Sequence, residues 1–145
     1  MLPDFEGTPP LPVDVDDEYI TANGISPQPA ASISVMAGNI AAIRLFRILG
    51  ECQQRHRTFT NSPSESSPPV AINLHWAEAA ILAVYQVLQD LPPELRGEYS
   101  APPLDVFESG SSSFVGMQQA NIQITALCTE LALVRFETYF SFLNG

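Results

Sequence analysis

The sequence predicts an all-α fold of three long helices, at about 35–57, 71–91 and 114–143, joined by Pro/Ser-rich loops. Two observations lead there. Apolar residues recur at helical spacing through each of those stretches. The 13 prolines fall mainly between the apolar runs, where a residue lacking a backbone N–H ends a helix rather than interrupting it. The chain divides into an acidic, proline-rich segment at 1–32 and a helical region at 33–145.

At 145 residues the chain has room for one domain with a core. Its formal charge is −10, with six arginines and no lysine. Gripping phosphates needs a basic patch, so direct nucleic-acid contact is not expected. The acidic excess suits a solubilising surface or a face for basic partners. Two cysteines, Cys52 and Cys128, are too few for a disulfide scaffold or a cysteine-built zinc site. The N-terminal MLPDFEGTPP lacks the basic flank and apolar core of a secretory signal, which favours a reducing, intracellular setting.

Taken in order, the first segment shows no helical period. It carries the acidic cluster Asp14, Asp16, Asp17 and Glu18 and the turn-forming pair Asn23 and Gly24. A solvated loop lying loosely on the surface is expected. The ligand spacing of a calcium-binding loop is missing. The next stretch, 35–57, is amphipathic: Ala41, Ala42, Leu45, Phe46, Ile48, Leu49, Cys52 and His56 share one face. Arg44, Arg47, Glu51 and Arg55 form the opposite stripe, with i,i+4 pairs of opposite charge, and Ser34 is placed to cap the start. The linker TFTNSPSESSPP at 58–69 holds Ser62 and Ser67, each before a proline in the form of a proline-directed phosphorylation site.

The stretch 71–91 is apolar over most of its surface, and we expect other helices to wrap it as the central element. A histidine, a carboxylate and amides interrupt it, which argues against a membrane span. It ends at Pro92 and Pro93, with one further turn possible before a loop at 100–113. The last stretch has only a thin polar stripe of Gln119, Gln123, Glu130 and Glu137. Three helices, two of them apolar almost all round, cannot bury one another fully. The chain is therefore expected to belong to a larger helical domain or to self-associate.

Two pairs have metal-ligand spacing on a helix: His75 with Glu78, and Cys52 with His56. A di-iron bundle would need further Glu and His sets on other helices. A cysteine on an apolar face is more often inert packing than an activated thiol. No phosphate loop, nucleophile elbow or paired catalytic carboxylates are recognisable, so an enzyme is not expected.

Four runs together resemble the regulatory region (the middle homology region, or fungal-specific transcription factor domain) of fungal zinc-cluster transcription factors. They are LPVDVDDEYIT at 11–21, RLFRILGE at 44–51, LPPELR at 91–96 and QQANIQIT at 118–125. The resemblance covers 11–143 and is partial, because the six-cysteine zinc-cluster DNA-binding module is missing. It implies an all-helical, nuclear region that regulates transcription through effector or partner contacts, without touching DNA. Any zinc would belong to the absent module, so no cofactor is expected in this chain. Protein partners or self-association would use apolar helix faces. For a small-molecule effector, Phe46, Trp76 and Tyr85 are the candidate pocket lining, with His75 as a polar handle. The simpler role for the same side chains is core packing. The alternative function is an autonomous small helical protein-binding or scaffold protein.

Overall fold

The computed structural model describes residues 9–29, 32–61, 70–96 and 110–144. Its helices are α1 (Val35–Asn61), α2 (Val70–Gln89), the single turn α3 (Pro93–Arg96) and α4 (Gly110–Asn144). The fold is all-α. The two flanking long helices run beyond their expected limits, α1 by four residues to Asn61 and α4 by four residues back to Gly110. Ser62 and Ser67, with the phosphorylation expectation attached to them, lie outside the described residues, as does most of the loop expected at 100–113.

The start of α4 meets the start of α1, where Gln118 bonds to the Val35 carbonyl, and its end meets Phe59 near the end of α1. The two helices are therefore parallel. α2 runs against both, so Asp90 beyond its C-terminus comes within 3.7 Å of Arg44 near the start of α1. α4 packs on α1, α2 and α3. This corrects the expectation that 71–91 is the wrapped central element. At 35 residues α4 spans about 52 Å, against about 30 Å for the 20 residues of α2. Its inward residues also include the large Ile122, Leu133, Phe136 and Phe140. Much of the apolar surface of α2 is alanine, which gains less from being covered. Ile72, Leu82 and Tyr85 consequently stand exposed on α2. By length and composition α2 could cross a membrane, yet here Trp76, Ala77, Ala80, Val84 and Val87 turn into the bundle.

The core joins Leu45, Ile48 and Cys52 of α1, Ala80 and Val84 of α2, Leu95 of α3, and Ile122, Leu133, Phe136 and Phe140 of α4. On α1 the buried face runs through Ala37, Ala41, Leu45, Ile48 and Cys52. Phe46, about 100° around from Leu45, falls beyond the edge of that face and is exposed, contrary to its place on the expected apolar side.

The N-terminal segment is more ordered than a loose loop. A 3-10 turn (Asp17–Tyr19) leads into a small antiparallel hairpin, β1 (Ile20–Thr21) with β2 (Gly24–Ile25). Gly24 has φ +121°, a conformation L side chains rarely adopt, which explains glycine after Asn23. The Thr21 hydroxyl donates to the Gly24 carbonyl at 2.8 Å and closes the turn.

Candidate functional site

One end of the bundle is held by hydrogen bonds between segments far apart in sequence. The first turn of a helix leaves backbone N–H groups without partners. At the start of α1 two residues take them: Ser34 Oγ accepts from the Met36 N–H at 3.0 Å, and Asp16 Oδ1 accepts from the Val35 N–H at 2.7 Å. Asp16 Oδ1 also accepts from the Ser34 hydroxyl at 3.3 Å. Its second oxygen accepts from Gln28 Nε2 at 3.0 Å, and Gln28 Oε1 accepts from the Asp16 N–H at 3.0 Å. A single carboxylate thus joins both arms of the N-terminal segment to α1. Arg47 adds a bond to the Pro9 carbonyl.

α4 enters the same junction through its glutamines. Gln118 Nε2 donates to the Val35 carbonyl at 2.8 Å, and Gln119 Nε2 donates to the Glu94 carbonyl. Gly38 allows this approach, since a Cβ there would lie 2.8 Å from the Gln118 amide carbon. Below it, Arg96 Nε donates to the Leu91 carbonyl at 2.8 Å and fixes the turn after α2.

The opposite end is aromatic. Phe59, Phe136, Tyr139 and Phe140 stack at centroid separations of 4.5–6.3 Å, with Trp76 edge-on to Phe136 at 5.6 Å. The Arg55 guanidinium lies 4.6 Å over the Trp76 ring and pairs with Glu51 at 2.7 Å. Near this ion pair the bundle buries polar atoms without hydrogen-bond partners: Glu51 Oε2, Trp76 Nε1 and both amide atoms of Asn73.

The four effector-pocket candidates are separated by burial. Trp76 is a core residue packed on Phe136 and Arg55. Phe46 and Tyr85 are exposed, and the His75 side chain is 88% exposed, 3.9 Å from Glu78. None of them lines the open hollow of about 480 Å³ formed along α1 by Gly50, Gln53, Gln54, Arg57, Thr58 and Asn61. Cys52 is buried, and burial with the neighbouring Glu51 charge pushes its thiol up to about 11. At neutral pH it is a protonated packing group that donates weakly to the Ala132 carbonyl at 3.8 Å. His56 stacks on Tyr139 at 5.1 Å. Among the described residues no three His, Cys, Asp or Glu side chains gather in metal-binding geometry.

Sequence reasoning missed the cap formed by Asp16. The preference of aspartate for helix caps was a usable signal, but Asp16 lies 19 residues before Val35, and cap rules search only adjacent residues. Comparison with known protein families, with characterised proteins and with solved structures finds no match to the chain.

Proposed function

We propose that this chain is the regulatory, non-DNA-contacting region of a fungal zinc-cluster type transcription factor, acting in the nucleus through effector or partner contacts. The supporting observation is where the four resembling runs lie. They are dispersed from 11 to 125, yet each contributes to the polar end of the bundle: Asp16 from the first, Arg47 by a hydrogen bond and Arg44 by an ion pair from the second, Glu94 and Arg96 from the third, Gln118 and Gln119 from the fourth. Their meeting gives the regulatory reading one definite place in the fold.

The mechanism is conformational. The acidic N-terminal segment is docked through Asp16, and a partner with unequal affinity for the docked and released forms shifts their populations. Phe46, Tyr85 and His75 are available to such a partner from solvent. The role is one of contact rather than catalysis, and no zinc or nucleic-acid contact is assigned to any residue. Residues 1–145, fused to a heterologous DNA-binding domain in a fungal host, should alter reporter output, and Asp16→Ala should change that output severalfold. Identical output from the carrier alone, the fusion and the variant would overturn the reading.

The exposed apolar side of α4 favours a second reading, an autonomous helical protein-binding or scaffold protein. Sequencing the native transcript separates the two. A six-cysteine cluster encoded upstream in the same frame supports the first, and its absence from the full reading frame supports the second.

A further inference from the structure

α4 carries two apolar faces, and the bundle uses one. Ile122, Thr129 and Phe136 point into the core seven residues apart. On the opposite side Met117, Ile124, Leu127, Leu131 and Val134 stand 50–65% exposed, and Phe142 beside them is 86% exposed. Ala120 and Thr138, also exposed, complete the pattern. Met117, Ile124, Leu131 and Thr138 take one heptad position, and Ala120, Leu127 and Val134 take the other. The alternating spacing of three and four residues is sustained for three heptads, about 32 Å of helix. A surface helix of a globular protein needs only its inward stripe. A second one kept in strict heptad register is the form that packs against another helix.

The charges beside this seam indicate which helix. Glu130 and Arg135 flank it on opposite sides, at the g and e positions. In a parallel two-stranded pair, a g residue faces the e residue five places further along the partner. Glu130 and Arg135 are five apart, so two copies of α4 in register place each Glu130 against the other copy's Arg135. The two-fold axis produces this pair twice. The five large seam side chains, with Phe142 at the adjoining e position, offer roughly 100 Å² of exposed apolar area each, about 600 Å² per copy, which reaches the lower end of the size of a stable interface.

We infer that the chain forms a parallel homodimer through the outer face of α4, with Glu130 and Arg135 paired reciprocally across it. This goes beyond the regulatory reading and does not depend on it. The bundle does not need the seam residues, so they can be changed without unfolding the monomer.

The test is light scattering after size exclusion on residues 1–145. The expected mass is twice the 15.8 kDa of the chain. Leu127→Glu and Leu131→Glu should each give the single-chain mass with an unchanged helical circular dichroism spectrum. Glu130→Arg alone should weaken the dimer about tenfold, and Glu130→Arg with Arg135→Glu should restore it. A wild-type chain that remains monomeric up to about 100 µM, or a mass above two copies, overturns the inference. So does a dimer indifferent to Leu127→Glu, or a single charge reversal that the double exchange fails to rescue.

Discussion

The two ends of this bundle are closed by different physics. At one end, Asp16, Ser34, Gln118 and Gln119 join four segments through directed hydrogen bonds, several of them at the surface. At the other, Phe59, Trp76, Phe136 and Phe140 close the bundle by area and ring geometry. Exposed hydrogen bonds exchange with water and contribute about 1 kcal/mol each, whereas a buried aromatic ring contributes several times that. The aromatic end therefore holds the helices together. The polar end specifies which segments meet and in what alignment.

The sharpest way to break that contrast is Phe140→Ala. The ring is fully buried and touches three other aromatic rings, so its loss should cost about 3–5 kcal/mol in chemical denaturation. A loss below about 1 kcal/mol would remove the claim that this end dominates.

Alkaline pH probes the same half through Cys52. Its thiol is raised from 9.0 to about 11 in the folded chain, so the folded state holds its proton more tightly than the unfolded one. The associated stability is fully present below pH 9, falls as pH rises from 9 to 11, and amounts to at most about 3 kcal/mol. Denaturation from pH 8 to 11 should show this slope in the wild type and lose it in Cys52→Ala. Equal slopes in the two proteins would dismiss Cys52 as the source.

Asp16→Ala tests the polar end and should cost about 1–2 kcal/mol, while releasing hydrogen-exchange protection at Val35. Retained protection at that amide would mean that the N-terminal segment is held by something other than the carboxylate. Gln118→Ala is the mildest, at about 0.5–1 kcal/mol, because the amide is near solvent and water can replace it at the Val35 carbonyl. A cost like that of Phe140→Ala would erase the distinction between the ends.

The all-α class was legible because apolar spacing and proline placement depend only on local sequence. The positions of three helices followed, and so did the cap at Ser34 and the surplus apolar surface. Which helix lies centrally was not legible. A count of apolar positions weighs Ala79 and Ala83 like Phe136 and Phe140, although the area they cover differs severalfold. The candidate site was legible only in part. The runs containing Asp16, Arg96 and Gln118 stood out as segments, but their meeting is a property of the helix arrangement, which no local rule contains. Trp76 and Tyr85 look alike as aromatic positions on one apolar helix, with His75 beside them as a polar handle. The packing of α4 leaves Trp76 inside and the other two in water.

The threonines of α4 have a mechanical consequence. Thr125 and Thr129 direct their hydroxyls to the Asn121 and Thr125 carbonyls at 2.7 and 2.8 Å, so both buried groups are satisfied within their own helix. Neither ties α4 to a neighbour. Through its buried middle, α4 resembles a smooth shaft in an apolar sleeve, marked among the described residues by the weak Cys52 thiol contact. Its lengthwise setting is indexed where Gln118, Gln119 and Gln123 engage Val35, Glu94 and Arg96. Three amides in the first half of the helix thereby set the depth of insertion of a 35-residue rod.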